Sequence, residues 1–391
     1  MRFPFFVEFK KSLISDYKYI CPKMEMLRIK DITNELETVA PSAFQEDYDN
    51  SGLLTGDFNT EVSKALVCLD CTEEIIDEAI AKKCNLVIAH HPIIFRGLKR
   101  LNGNNYVERT IIKAIKNDVA IYAIHTNLDN VLQNGVNSKI AEKLGLENLE
   151  ILDSKSDKLA KLITFVPTEN AANVREALFN AGAGKIGNYD SCSFNTEGKG
   201  TFRGNENSKP FVGKQNELHA ENETRMETVF PLHLKSKIIS ALILAHPYEE
   251  VAYDIVLLEN NWKQIGSGIV GELKEEMEVN VFLKMLKNNM NLNLIRHTEF
   301  DKTVNKIAIC GGSGSFLLNK AIASGADVFI TSDFKYHEFF DAEGKIMICD
   351  VGHYESEQFT PQLIIEIIQK KFANFAAVLT ETNTNPVNYY Y

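Results

Sequence analysis

Leu86-Val87-Ile88-Ala89-His90-His91-Pro92 decides the fold of this chain. Four apolar residues, enough for one buried strand, close on two adjacent imidazoles, and Pro92 ends the strand. Three later segments close in the same way. Ile121-Tyr122-Ala123-Ile124 runs into His125-Thr126-Asn127-Leu128-Asp129. Val328-Phe329-Ile330 runs into Thr331-Ser332-Asp333, with His337 close behind. Ile346-Met347-Ile348-Cys349 runs into Asp350-Val351-Gly352-His353, with Glu357 four residues on. Five of the nine histidines fall in these segments. In a parallel α/β sheet the strand ends share one edge, which is where such folds bind ligands. Imidazoles and carboxylates gathered there without cysteine predict a metal site of nitrogen and oxygen ligands.

Outward from His90, the spacing predicts a first helix over 29–39, a strand over 64–70, a helix over 72–83, a helix over 107–117 and a strand over 119–124. Strands alternating with helices require a mostly parallel sheet. A helix over 135–146 follows, and then a polar run over 153–161 reads as a linker. Beyond it come a strand (162–166), a helix (170–181), a Gly- and Asn-rich β region (189–213), a strand (225–230), a helix (235–245) and a strand (251–258). That β-α-β-β-α-β order is a ferredoxin-like split unit. After Trp262 the first pattern returns, with strands over 306–310, 327–330 and 345–349 and a final helix over 361–372. The expected fold is therefore α/β. Two similar βαβ-type lobes, 27–157 and 261–375, form the metal-binding core, and an inserted ferredoxin-like domain occupies 158–260. Residues 1–26 read as an N-terminal extension, of which 1–23 are dispensable, and 376–391 as a tail without periodic signal.

Composition narrows the class. The chain has 391 residues, 45% hydrophobic and 24% charged, the balance of an ordinary globular protein long enough for two or three domains. A net charge of −11 argues against a general nucleic-acid or anionic-membrane binder. Seven scattered cysteines, an odd number, suit a reduced, cytoplasmic setting. Cys68-Leu69-Asp70-Cys71 has no partner pair and reads as incidental. No run reaches the ~20 apolar residues of a membrane span, and the N-terminus lacks the apolar stretch of a signal peptide.

The candidate ligands are His90, His91, Asp129, His353 and Glu357. Because His90 and His91 are adjacent, two neighbouring ions, each taking one, suit them better than a single ion. His353 and Glu357 share one face if the chain turns helical there, with Cβ atoms about 5–6 Å apart, and a carboxylate at that position can bridge two ions. Two such sites about 3.5–4 Å apart polarise a substrate oxygen and make hydroxide from water. His125 is either a ligand or a residue that orients one. His337 is a candidate catalytic proton donor or substrate contact. Gly311-Gly312-Ser313-Gly314 lacks every nucleotide-binding spacing and reads as a tight turn under the metal edge, with phosphate contact the alternative.

Taken together, six pieces resemble the Nif-three-like family, also called GTP cyclohydrolase I type 2 homologues. They are Asp49-Asn50-Ser51-Gly52-Leu53, His90-His91-Pro92-Ile93-Ile94-Phe95, His125-Thr126-Asn127-Leu128-Asp129, Gly312-Ser313-Gly314, Thr331-Ser332-Asp333-Phe334-Lys335-Tyr336-His337 and Gly352-His353-Tyr354-Glu355-Ser356-Glu357. The resemblance implies a dinuclear site of two divalent ions (Zn, Fe, Mn or Co) on His90, His91, Asp129, His353 and Glu357, with Glu357 as the bridge. It also implies a central insertion, here 161–259 with His246-Pro247-Tyr248-Glu249-Glu250, and self-association as a homohexamer. Ser332 stands where the family pattern has Gly. Two functions follow: a metal-dependent hydrolase of a nucleotide-like or phosphorylated small molecule, or a metal-bearing regulatory protein without turnover.

Overall fold

The computed structural model describes residues 26–390; the expected N-terminal extension, Met26 aside, lies outside them. The chain begins with helix α1 (Ile29–Val39), which buries Ile29, Ile32 and Leu36 at helical spacing. Strand β1 (Gly52–Thr55) follows, then β2 (Ala65–Cys68), α2 (Glu73–Ala81), β3 (Leu86–Ala89), α3 (Tyr106–Lys116), β4 (Ala120–Ala123) and the one-turn helix α4 (Thr126–Asp129). Helix α5 (Val136–Leu144) stops at Gly145, which takes a left-handed φ of +70°. Next come β5 (Glu147–Lys155), β6 (Leu159–Pro167), α6 (Ala171–Ala181), β7 (Phe194–Phe202), β8 (His219–Pro231), α7 (Lys235–Ala245) and β9 (Tyr253–Leu258). The chain closes with β10 (Trp262–Met277), α8 (Val279–Asn289), β11 (Arg296–His297), β12 (Val304–Ser313), α9 (Leu318–Ala323), β13 (Val328–Ser332), β14 (Met347–Asp350), α10 (His353–Glu357), α11 (Thr360–Lys371) and β15 (Ala377–Leu379).

Three sheets result: β1-β4-β3-β2-β15, β11-β14-β13-β12-β10-β5, and β7-β8-β6-β9. In the first, β15, β2, β3 and β4 are parallel and β1 is antiparallel. In the second, β12, β13 and β14 are parallel, and β10, β5 and β11 pair antiparallel with their neighbours. The third is antiparallel throughout. The parallel strands are apolar on both faces, as strands covered on both sides must be. Ala65, Val67, Leu86, Ile88 and Tyr122 enter one apolar core together with Ile307, Ile309, Val328, Ile330 and Met347 of the second sheet. Their neighbours in the strands turn outward: Leu66, Val87 and Ile121 pack with Ile75 and Ile76 of α2, and Ala308 and Phe329 pack with Leu318 and Ala321 of α9. A core common to two sheets fixes them relative to one another, so the C-terminal edges of both parallel sets can meet at one place.

Several expectations change. The polar run over 153–161 is mostly strand: it is the end of β5 in the second sheet and the start of β6 in the third, with only residues 156–158 joining them. Trp262–Met277 is a 16-residue strand. The turn-rich stretch before Leu53 leads straight into β1, and β15 puts part of the tail into the first sheet beside β2. Gly311 and Gly312 lie within β12. Cys68 and Cys71 are free and buried, and burial pushes the Cys71 thiol up to about 12, so neither is poised for redox chemistry. Among the described residues no helix is long and apolar enough to cross a membrane.

Candidate metal centre

The site is built where strands end. Beyond β3, the His90 and His91 N–H groups still donate to the carbonyls of Cys68 (3.2 Å) and Leu69 (2.9 Å). The chain then leaves the sheet, and both rings turn to one side with their centroids 4.9 Å apart. Beyond β4, α4 delivers His125 at its start and Asp129 at its end. Beyond β14, Gly352 takes φ +94° and the single turn α10 carries His353 and Glu357 on one face. The first sheet therefore gives His90, His91, His125 and Asp129, and the second gives His353 and Glu357.

Their ligand atoms fall into three groups, each within 4.8 Å: His90, Asp129 and Glu357; His91, His353 and Glu357; and His90, His91 and His125. Glu357 belongs to two of them, one oxygen for each. Its Oε1 is 3.8 Å from His90 Nε2, and its Oε2 is 2.9 Å from His91 Nε2 and 3.4 Å from His353 Nε2. Asp129 Oδ1 lies 3.5 Å from His90 Nε2.

Every imidazole is held by its other nitrogen. His90 Nδ1 meets the Ile124 carbonyl at 2.8 Å. His91 Nδ1 meets Asp70, His125 Nδ1 meets Asp49 and His353 Nδ1 meets Asp333, each at 2.7 Å. With Nδ1 engaged, each ring presents Nε2 inward in a fixed orientation, the arrangement carboxylates and carbonyls impose on metal-binding histidines. Glu357 rests on Gly312, where φ is +64° and a Cβ would stand 2.4 Å from Oε1, so the position is confined to glycine. The Gly312 N–H donates to Ser356 Oγ (2.9 Å), and its carbonyl accepts from Thr331 Oγ1 (3.0 Å) and Ser332 Oγ (2.6 Å). The glycine loop is thus a seat for Glu357, and Ser332 braces it.

The charges call for a cation. Burial, aided by the charge of Glu357, raises the Asp129 carboxyl well above the usual range. Burial opposes ionisation of Glu357 too, but the His353 and His91 imidazoles beside it hold it well below that range. His91 and His353 lose to burial but gain more from the carboxylates on either side, and rise to about 10 and about 11. Asp70, against its burial, and Asp333 are lowered in turn by the histidines they hold. Two side-chain atoms at the centre, His90 Nε2 and Asp129 Oδ1, are buried without a hydrogen-bond partner. A metal ion supplies the partner that both atoms lack and can take the place of the protons on His91 and His353, so the donor set fits one.

All five candidate ligands named from the sequence converge here, and His125 joins them. His337 does not: it is exposed on the turn after β13, beside Tyr336 and stacked on Phe340. The sequence reading assigned no role to Asp49, Asp70 or Asp333. Asp70 and Asp333 stand just past the parallel strands β2 and β13. Asp49 precedes β1, which is antiparallel and so starts at that same edge. A cavity of about 440 Å³ opens beside the cluster, lined by His91, His353, Arg296 and Tyr354 and closed on one side by residues of the tail. The tail is tied down there: Thr384 Oγ1 donates to Asp70 (2.9 Å) and Asn385 Nδ2 to Glu355 (3.0 Å).

An α/β protein with a candidate metal cluster at the seam of two sheets is the class this geometry defines. The family described as Duf34/NIF3 (NGG1p interacting factor 3) matches residues 27–386, and the chain belongs to it. A Bacillus subtilis relative named "GTP cyclohydrolase 1 type 2 homolog" is 41% identical over 367 residues, covering 92% of this chain and 98% of its own length. A Halalkalibacterium halodurans relative of the same name is 37% identical over 373 residues, covering 94% and 100%. The crystal structure of a Bacillus cereus protein related to NIF3 superposes with a TM-score of 0.82 at 38% identity, covering 94% of this chain and 100% of that one. The resemblance read from the motifs holds.

Proposed function

We propose that the chain is a dinuclear metal-dependent hydrolase of a nucleotide-like or phosphorylated small molecule. The observation that carries this reading is the set of four imidazoles fixed at Nδ1, with Nε2 turned toward Glu357 and Asp129. His90 and Asp129 would hold one ion, His91 and His353 the other, with one oxygen of Glu357 for each. Metal ions in such a site polarise a substrate oxygen and bring bound water into the ionising range. Asp70 and Asp333 keep the rings from turning. His125, oriented by Asp49, is the base placed to hold a proton. Arg296 is anchored through Nη2 to Asp350 and the Phe334 carbonyl, and its remaining N–H groups are available to an anionic part of the substrate.

Two further readings belong with this one. Residues 158–260 act as an inserted ferredoxin-like domain; its deletion, with the ends properly joined, leaves a folded core that still binds metal. The chain also assembles as a homohexamer, which light scattering tests against a monomer mass near 44.0 kDa.

The central test is elemental analysis of protein purified without chelator, followed by turnover of a panel of nucleotides and phosphate esters by the metal-loaded chain and by Asp129→Ala. Up to two ions per chain and turnover lost in the variant support the hydrolase. Full metal content with no turnover across the panel rejects it and leaves the metal-bearing regulatory reading, which a second cavity lined by none of the cluster residues favours.

A further inference from the structure

We infer that the antiparallel sheet β7-β8-β6-β9 carries a second small-molecule site, built from none of the metal-cluster residues, for an anionic ligand with a planar, N–H-donating head. Helices α6 and α7 cover one face of this sheet, where Leu162, Met226 and Phe230 pack with Val174, Leu178, Ile238 and Leu242. Glu223 and Arg225, one residue out of phase with Met226, belong to the other face. There a cavity of about 730 Å³ is bounded by β7, the loop after it and the segment 248–252. That is the size of a site for a small ligand.

The floor of the cavity is flat and its centre is acidic. Gly198 pairs with Glu223 across the sheet, and at Gly200 a Cβ would stand 2.0 Å from Glu223 Oε2. The two glycines leave room for the carboxylate and for a ring lying on the strand. Glu223 is 9% exposed. Its Oε1 accepts from Tyr248 Oη at 2.9 Å. Among the described residues it has no cationic partner, because Lys161 and Arg225 both pair with Glu227. The carboxylate keeps acceptor capacity for the donors of a ligand. Phe202 and Phe211 stand 5.7 and 6.4 Å from the Tyr248 ring. Lys199 and Arg203 line the cavity and form no ion pair among the described residues.

The walls are built rather than incidental. His246 accepts from the Tyr248 N–H at Nδ1 (3.1 Å) and so donates from Nε2 to the Phe165 carbonyl (3.0 Å), a neutral tautomer that fixes Tyr248. The loop after β7 is tied to the same segment, with the Lys209 N–H donating to Glu249 (2.7 Å). A carboxylate held by Tyr248 in a cavity lined by Phe202 and Phe211, over a glycine floor and with unpaired cations in its lining, matches a base with two adjacent N–H donors on one edge, carrying a phosphate. That is the guanine pattern; adenine presents one donor and one acceptor on the corresponding edge.

Calorimetric titration of the metal-free full-length chain with GMP is the test, with AMP and guanosine as comparators. We expect one GMP per chain, at least tenfold weaker binding of AMP and of guanosine, and a loss of at least tenfold in Glu223→Gln. Gly200→Ala provides a second variant that displaces the carboxylate without a positive φ, and it should lose as much while keeping the wild-type melting profile. Asp129→Ala should bind GMP as wild type does. No binding to wild type, equal binding by both cavity variants, or loss of binding in Asp129→Ala would each overturn the assignment, the last by moving the ligand to the metal cluster.

Discussion

Replacing Asp129 by Asn should move the stability of the metal-free and metal-loaded protein in opposite directions. In the metal-free chain Asp129 Oδ1 is sealed from water without a hydrogen-bond partner, and Glu357 adds like charge. Asparagine keeps the shape, removes the charge and offers an N–H to Glu357. Relief of one unsatisfied buried acceptor is about 1–3 kcal/mol. With metal the sign reverses. An ion at 100 times its Kd stabilises the folded state by about 2.7 kcal/mol, and the variant forfeits this at the site Asp129 completes. At about 2–4 °C per kcal/mol for a unit of 150–250 residues, both shifts are measurable by scanning calorimetry with chelator or with added metal. The pH dependence has a definite sign. A carboxyl raised in the folded state costs nothing below its unfolded value of about 4 and destabilises progressively as pH rises above it. The advantage of the variant in chelator should therefore vanish near pH 4 and grow toward neutrality. If Asp129→Asn lowers the melting temperature equally with and without metal, Asp129 is a structural hydrogen-bonding residue and the cluster is not a metal site.

Asp70→Asn and Asp333→Asn should each weaken metal affinity about 10–100-fold in a competition assay while leaving the fold intact, since each carboxylate only orients a ring; unchanged affinity in both would show that the Nδ1 contacts are incidental. Burial opposes ionisation of Glu78 on α2, but the carboxylate pairs with Lys82 and accepts from Thr380 Oγ1, Thr382 Oγ1 and the Glu381 N–H, and these contacts lower it to about 2. Its contribution is present above the unfolded value of about 4.5 and is lost as pH falls through about 2, so Glu78→Gln should release the tail to proteolysis beyond β15 at pH 7 and have little effect at pH 2, and a tail equally resistant at pH 7 would contradict this. His337→Ala should leave metal content and melting temperature unchanged, and a turnover loss above tenfold would restore the proton-relay role inferred from its place in the sequence.

The parallel strands were legible because burial on both faces writes itself as apolar runs, and the ligands because each follows such a run at a fixed place. What stayed hidden lacked a regular apolar period: β10 buries Ile265, Ile269 and Leu273, but Gly266, Gly268 and Gly271 interrupt them. β5 is mostly exposed or half-buried, and β10 ends on Glu275, Glu276 and Met277; their register with each other, Ile269 against Ile151 and Val270 against Glu150, leaves no apolar period to read. A polar run between two strands looks like a linker in sequence whether or not it is paired. The carboxylates behind the histidines were visible as residues, but their role was not, because His91 and Asp70 are joined only when β2 and β3 lie side by side. His337 follows β13 closely in sequence, yet it stands exposed against Tyr336 and Phe340 and outside the clustered ligand atoms, a placement that spacing alone does not encode.

The placement of the ligands also bears on how the two sheets hold together. His91 and Glu357 are 266 residues apart in sequence and 2.9 Å apart in space. The first sheet brings His90, His91 and Asp129 and the second brings His353 and Glu357, so neither sheet can complete a site alone. The apolar core behind them is common to both sheets and sets their relative position without the ion. A metal ion bound there would act on a seam that is already formed, and its free energy would add to the cohesion of the two sheets rather than to the folding of either. A ligand change on one sheet should accordingly remove the added cohesion, so that added metal raises the melting temperature of the wild type and leaves that of the variant close to its value in chelator.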